Sequence, residues 1–537
     1  MKLIKTILSG LLIVTMTFTF FSASAAKADS LKAGAFKTDS QTQNQPFQRG
    51  AGESEKFRIP AFISLNDGTL FAAADARYET TGDGGGLDTI IALSKDNGKT
   101  WKHDYAINYP DSEGFADLIS TTCIDPCVVE GNDGTIYVIA DMNPTGVTTK
   151  PEYISPNVDT GYMTVKGEER LALTDNYKDV NNNPHDKSYP YYLGEKENKL
   201  FPVLKIQDNT KTKWALDEWL NIYEKNSKNE YEPIYQNQVN SEKQVQQNAF
   251  YKDSALHVYN TGYLLMAKSK DMGETWSAEI LNPQIKRENE SALLVSPGKG
   301  TVTNDGTIVI PFYTFNRTDE EIIQRASFIY SKDNGKSFKR TQSAPNGNGV
   351  DWSSESEIVE LDNGVLRMFI RNGTGKIVYV DAQWDALLND YAWEMPVVTD
   401  LEVWSGCNLT ASVYSKPIDG KTAVMVACPS GKKRTAGKIY TFLLNDDNTM
   451  DCAYSYRINF SDFAYSCMDE LPDGSMGILY EAKPGTMKYK SYTIDELTKH
   501  GTNFERNLIV SLGVVLGAAA LASGTVIAVK LIKRKKK

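Results

Sequence analysis

Residue types that often carry chemistry are unevenly supplied in this chain. Its 537 residues include four His and six Cys, but 28 Tyr. So few His argue against a His-based metal cluster. Cys123 and Cys127 are spaced CxxxC with no His near them in sequence, a poor match to a structural zinc site. Six Cys in a chain of this length make no disulfide framework, and most read as buried thiols. Asp83 stands in ETTGDGGGLDT, where the Gly residues predict a mobile loop carrying a carboxyl. Charge narrows the partners further. The net charge is −10, yet nine positive charges lie in residues 1–28 and 530–537, which hold no acid, so the remainder sums to −19. That balance excludes a general nucleic-acid binder. An anionic ligand would need a local cluster of Arg to overcome the surrounding field.

The elements that must position such groups are short strands. From about residue 51 to 495 the chain alternates apolar runs with turn signals, as in AFISL-NDG-TLFAAAD, VVEG-NDG-TIYVIAD and TVT-NDG-TIVIPFY. Strand, Asn-Gly or Asp-Gly turn, strand is a strong hairpin signal. The octapeptides SKDNGKTW (94–101), SKDMGETW (269–276) and SKDNGKSF (331–338) read as hairpin tips. In each, Asp can bond the turn backbone, Gly can take a positive φ, and the closing aromatic returns to the sheet. Three copies imply radially repeated four-stranded units, an all-β six-bladed β-propeller. The first two copies are 175 residues apart, too far for one blade. The surplus, about 148–250, is polar and Tyr-rich and predicts an inserted β-rich subdomain, with Trp214 and Trp219 packing its own core.

The ends read differently. Residues 1–28 carry Lys2 and Lys5, an apolar run from Ile7 to Phe21, and an Ala26-Lys27-Ala28 cleavage pattern: a secretory signal peptide. Residues 29–50 read as a linker or a loose first strand. Residues 496–507 read as a juxtamembrane linker. Leu508 to Val529 is 22 uncharged residues, about 33 Å of helix, predicting a C-terminal transmembrane helix. Residues 530–537, KLIKRKKK, would hold that end in the cytoplasm. The expectation is an exported protein held at the cell surface.

Fold does not fix function, and a lectin or adhesin could share these features. Other residues decide. Phe57-Arg58-Ile59-Pro60 reads FRIP, just ahead of the first propeller hairpin. FRIP followed by repeated S-x-D-x-G-x-T-W resembles the bacterial exo-sialidases (neuraminidases), whose Asp box is this octapeptide. The resemblance runs from about residue 50 to about 490. It implies three arginines that bind the sialic acid carboxylate: Arg58, Arg371 in LRMFIRNGTG, and Arg434 in PSGKKRTAG. Guanidinium suits that task because it offers paired donors and keeps its charge. It implies Asp83 as acid/base, with Asp88 the rival although its neighbours suggest that it begins the next strand. Asp75 and Arg77 in AAADARYE resemble the family's D-x-R, and Arg77 is expected to line the pocket.

The implied nucleophile is Tyr465 in DFAYSCMDEL. The anomeric carbon of sialic acid bears a carboxylate, so a neutral phenol approaches without charge repulsion, and it needs a base to take its proton. Sialidases with a Tyr nucleophile are exceptions to the two-carboxylate rule of glycosidases. The implied base is Glu355 in DWSSESEIVELDNG, with Glu357 as the fallback, and Glu481 in GILYEAK is the implied holder of Arg58. Together these imply a retaining exo-α-sialidase acting on sialylated glycoproteins, glycolipids or oligosaccharides, with no metal or organic cofactor. A trans-sialidase or an intramolecular trans-sialidase would use the same intermediate. A sialic-acid-binding adhesin would need the arginines without Asp83, Glu355 and Tyr465.

Overall fold

The computed structural model describes residues 32–34, 40–78, 81–111, 120–148, 155–317 and 321–499. The predicted signal peptide (1–28), transmembrane segment (508–529) and basic tail (530–537) lie outside them. Among the described residues no helix is long and apolar enough to cross a membrane.

Six sheets form the blades of a propeller, antiparallel except where Gly298–Lys299 pairs parallel with Cys127 and Val128 of the second blade. Their innermost strands are, in order, Phe57–Ser64, Thr122–Glu130, Ala292–Val295, Ser353–Glu360, Thr410–Ile418 and Ser466–Glu470. In the second and fifth blades three further strands follow outward, and the sheets of the first, third and fourth hold five strands each. Radial packing of these units buries strand faces on both sides, which is why the strand sequences are near-continuous apolar runs such as FRIPAFIS and LFAAADA.

The three octapeptides join the third and fourth strands of blades one to three. Their hydrogen bonds repeat. Asp96 Oδ1 accepts from Ser94 Oγ and Thr100 N, both at 2.8 Å, and Asp96 Oδ2 accepts from Thr100 Oγ1 at 2.7 Å. Asp271 and Asp333 do the same for their own turns. Two successive residues take positive φ, as at Asn97 (59°) and Gly98 (84°). Gly98 is required for a second reason: a Cβ there would lie 2.4 Å from the Tyr489 ring of the sixth blade.

The sixth blade has three strands, Ser466–Glu470, Met476–Lys483 and Thr486–Tyr492. Its seam with the first blade is closed by the segment read as a linker. Gln41–Gln43 pairs with Thr100–Lys102 as an edge strand of the first blade. Gln45 then grips Tyr489 on the sixth blade, donating from Nε2 to its carbonyl (3.2 Å) and accepting its N–H (2.5 Å). Phe62, Trp101, Cys467, Leu479 and Tyr489 bury the joint.

The insert leaves the second blade after Asn143 and returns at Tyr263, two strands that pair directly. It contains a seven-stranded antiparallel sheet from Tyr162 to Pro233 and a two-stranded ribbon, Tyr235–Asn237 with Gln244–Gln246. Trp219 is buried within it; Trp214 is half-buried and packs edge-on against Tyr191 at 5.7 Å. All six Cys are free thiols, five of them buried. One boundary is corrected. Residues 496–498, read as linker, end a short helix, Ile494–Thr498, started by a Thr493/Glu496 capping box and anchored by fully buried Leu497.

The octapeptide bonds lower the pKa of Asp96 to about 2, chiefly through Thr100 Oγ1, from a reference value of 3.8. A carboxyl held down in the folded state contributes stability above its unfolded value and loses it as pH falls through the folded one. Asp96→Ala should therefore lower the thermal midpoint at pH 7. The gap from the wild type should close as pH falls from about 4 to 2, as checked by thermal unfolding across that range.

Candidate active site

The site is a cavity of about 210 Å³ at the mouth of the propeller axis. Three of the innermost strands break register there, which re-aims a side chain, and the sixth begins there. In Phe57–Ser64 the ladder shifts register between Arg58 and Ala61, and Ile59 takes φ 58°, a strained value for a β-branched residue. In Thr122–Glu130 it shifts between Ile124 and Cys127, with Asp125 at φ 63°. In Ser353–Glu360 it shifts between Ser353 and Ser356. The sixth strand is preceded by Ala464 and Tyr465, whose backbones bond that of Glu481. Bulges of this kind end regular pairing and turn side chains toward a site. They place Arg58, Asp125, Glu355 and Tyr465 on one pocket wall or floor.

Tyr465 sits at the centre. Its Oη donates to Glu355 Oε1 at 2.7 Å, and Arg371 Nη1 lies 2.8 Å from Glu355 Oε2 and 3.1 Å from Tyr465 Oη. Tyr465 and Glu355 are buried, at 6% and 4% exposure. Burial first, then the Glu355 carboxylate, pushes the phenol well above its ordinary value of 10, against the pull of Arg371 and Arg434. The resting group is thus a neutral phenol hydrogen-bonded to the Glu355 carboxyl group. The guanidinium groups of Arg434 and Arg58 stand over the Tyr465 ring, 5.0 and 5.8 Å from its centroid.

The three predicted arginines do converge. Arg58 is fixed by Glu481, whose Oε1 accepts from Arg58 Nε (3.0 Å) and from Ile59 N (2.9 Å). One carboxylate oxygen thus holds both the guanidinium and the strained backbone that carries it. Arg371 Nε is buried with no partner, and Arg434 has no carboxylate partner, among the described residues. Such a cluster, short of acceptors and open to a cavity, is built to receive a carboxylate.

Asp83 faces this cluster from the first blade with its side chain 45% exposed. Its Oδ1 accepts from Arg58 Nη1 (2.9 Å) and Arg77 Nη1 (2.5 Å). Arg77 corrects the expectation that it lines the pocket. It is fully buried behind the loop, paired with Asp75 (2.6 Å) and bonded to the Thr81 and Gly82 carbonyls. It positions the Asp83 loop rather than meeting a ligand. Neither rival carboxylate reaches the cavity. Asp88 opens the strand Asp88–Ser94 and accepts from Tyr78 Oη and Tyr109 N, both at 2.6 Å. Glu357 is fully buried below the pocket, beside Gly298 and Cys467.

Sequence reasoning missed the far side of the cavity. Asp125, Asp141, Asn143, Leu294 and Tyr313 line it from blades two and three. Asp125 had a signal: Ile124-Asp125-Pro126 repeats, one blade on, the Arg58-Ile59-Pro60 pattern of a residue with positive φ beside Pro. Asp141 and Asn143 had none, being ordinary alternating residues of Ile136–Asn143.

Comparisons with known proteins find relatives over most of the chain. The family model of the BNR repeat-like domain matches residues 59–466. Among curated proteins, an anhydrosialidase from Macrobdella decora is 30% identical over 83% of this chain and 62% of its own length. Sialidase B from Streptococcus pneumoniae is 28% identical over 84% of this chain and 64% of its own. The chain thus spans about three-fifths of the length of these relatives. Among solved structures, the intramolecular trans-sialidase of Ruminococcus gnavus, in complex with oseltamivir carboxylate, superposes with a TM-score of 0.69 at 28% identity. That match covers 84% of this chain and 98% of the other, an overlap that the propeller without its insert is too short to supply. The leech intramolecular trans-sialidase superposes with a TM-score of 0.71 at 27% identity, over 85% and 71% of the two chains. With its propeller, its octapeptides and these matches, the chain belongs to the BNR repeat-like domain family and is a sialidase homologue.

Proposed function

We propose that this protein is a retaining exo-α-sialidase that removes terminal sialic acid from sialylated glycoconjugates. The single observation that carries the reading is the Tyr465–Glu355–Arg371 contact at the foot of an arginine cluster. A carbohydrate-binding propeller has use for the arginines but not for a buried phenol hydrogen-bonded to a carboxylate base. The cavity has room for one sugar rather than a chain, in keeping with attack on a terminal residue.

In this account the substrate carboxylate enters among Arg58, Arg371 and Arg434. It competes with Asp83 for Arg58, which frees Asp83 to turn toward the glycosidic oxygen. Glu355 Oε1 takes the Tyr465 proton along the existing hydrogen bond as the phenol oxygen attacks the anomeric carbon. Asp83, which takes up a proton as it leaves Arg58, gives that proton to the departing oxygen. The sialyl–tyrosine intermediate is then opened by water that Asp83 deprotonates, and the proton returns from Glu355 to Tyr465. Two inversions give net retention.

A second reading keeps every residue and changes the last step. The sugar's own hydroxyl, rather than water, opens the intermediate and releases an anhydro product. The similarity to an anhydrosialidase and to two intramolecular trans-sialidases favours it. Both readings place the reaction outside the cell, with the chain exported and held by the apolar segment at 508–529. Surface protease treatment of intact cells tests that placement.

Product analysis on α2-3- and α2-6-sialyllactose separates the readings. Mass spectrometry should find free sialic acid for hydrolysis and a species one water lighter for intramolecular capture. Tyr465→Phe should abolish either product, and Glu355→Gln should lower kcat by about 10²–10⁴-fold. Glycan binding by the wild type without any product would leave an adhesin. Glu481→Gln should raise KM about tenfold or more with a smaller change in kcat, because it loosens Arg58 rather than the nucleophile.

A further inference from the structure

The turn that carries Arg434 is more basic than the pocket requires. It joins the strands Lys421–Pro429 and Gly437–Leu444 of the fifth blade and is closed by bonds from Ser430 N to Ala436 O (3.1 Å) and from Gly431 N to Thr435 O (3.0 Å). Arg434 lines the cavity, whereas Lys432 and Lys433 stand exposed on its rim. Neither lysine side chain has a partner among the described residues, although exposed lysines elsewhere are ion-paired, Lys196, Lys211 and Lys213 among them. Asp462, whose backbone bridges to that of Thr435, is an exposed acid close by, and it pairs with neither. Consecutive cations left unneutralised, in a chain that sums to −19 over residues 29–529, make a local positive field.

Two aromatic rings flank this turn. On one side Trp404 N donates to Pro429 O at 2.9 Å; on the other Ala436 N donates to Ser461 O, next to Phe460, at 2.8 Å. Trp404 is 39% and Phe460 79% exposed. Every other Trp and Phe among the described residues is buried or half-buried. The Arg457 guanidinium stands 4.7 Å from the centroid of the Phe460 ring and adds a further cation. The proposed reaction says what passes this rim. Tyr465 attacks from within the cavity, so the bond that breaks points the opposite way, out of the mouth. The sugar that leaves with the glycosidic oxygen therefore lies outside the cavity, level with the rim. Aromatic faces suit the C–H faces of a sugar, and ammonium groups suit an acidic substituent on it.

We propose that Lys432 and Lys433, flanked by Trp404 and Phe460, form a rim site for the sugar next to the terminal sialic acid and favour one that bears an anionic group, a sulfate ester or a second carboxylate. The inference rests on the sialidase reading above and narrows its substrate class. A neutral second sugar meets the aromatic rings alone. The added attraction runs between exposed charges, so it is modest and screened by salt. The lysines sort substrates by their second sugar and stay remote from the bonds that break.

The test compares kcat/KM on a 4-methylumbelliferyl sialoside, which has no second sugar, on sialyllactose in the linkage turned over fastest, on the same sialyllactose sulfated on its galactose, and on α2-8-linked disialyllactose. Wild type is set against Lys432→Gln/Lys433→Gln. The double variant should lose about three- to tenfold on at least one of the two dianionic substrates and less than about twofold on the other pair. That loss should fade as salt rises from about 0.05 to about 0.5 M. A loss on the sulfated substrate alone assigns the site to a sulfate ester, and a loss on the disialyl substrate alone assigns it to a carboxylate. Lys187→Gln/Lys228→Gln, which removes two exposed lysines of the insert, controls for net charge and should change no ratio. Equal losses on every substrate, no loss on either dianionic one, or the same loss from the insert lysines would overturn the rim site and leave the sialidase reading intact. No turnover of any substrate by the wild type would overturn the sialidase reading, and this inference with it.

Discussion

The hydrogen bond between Tyr465 and Glu355 joins the threshold of the sixth blade to the top of the fourth. Neither residue has a local reason to be near the other, being 110 positions apart. The bond exists because the ring is closed, and much of the structure serves that closure. Octapeptide turns fix the outer corners of blades one to three. Gln45 ties the first blade's edge to the last strand of the three-stranded sixth blade. Ser64 N donates to Asp469 and Arg58 to Glu481, so the same seam also orients a pocket arginine. In a ring, an error at the seam is felt across the axis. A phenol held 2.7 Å from a carboxyl group on another blade therefore depends on the rigidity of the closed ring.

Strand tops supply the second requirement, that side chains leave the sheet and point into the axis. Regular strands alternate their side chains between neighbouring blades, where everything is packed. A register shift breaks that alternation at Arg58, Asp125 and Glu355. The strain at Ile59 is held by Glu481, which accepts from both Ile59 N and Arg58 Nε. Strain, bulge and buried ion pair thus converge on the residues that chemistry needs, as is usual where a structure stores conformational cost.

Much of this was legible in the sequence, and the failures have physical causes. Hairpin signals and octapeptides depend on local turn chemistry, so propeller and insert could be read directly. The resemblance to sialidases marked Arg58, Arg371, Arg434, Asp83, Glu355, Tyr465 and Glu481, and all but Glu481, the buried holder of Arg58, line one cavity. Arg77 was misplaced because its fate depends on Asp75, two residues back, which turns it behind the loop. Glu357 could not be separated from Glu355 by alternation alone; the bulge between Ser353 and Ser356 separates them. Asp141 became visible only once blades two and three were side by side, since its polar neighbour is the Val295 backbone. The helix Ile494–Thr498 was passed over because one buried Leu497 gives too weak a periodic signal.

The central claim is that Tyr465 forms a covalent bond to the sugar. It is tested most directly by trapping the intermediate with a 2,3-difluorinated sialyl fluoride, in which the ring fluorine slows breakdown of the adduct. Intact-protein mass spectrometry followed by peptide mapping reads the result. The account predicts one sialyl adduct per chain, located on the peptide containing Tyr465 and absent from Tyr465→Phe. An adduct on a carboxylate, or time-dependent inactivation that survives loss of the phenol, would contradict it.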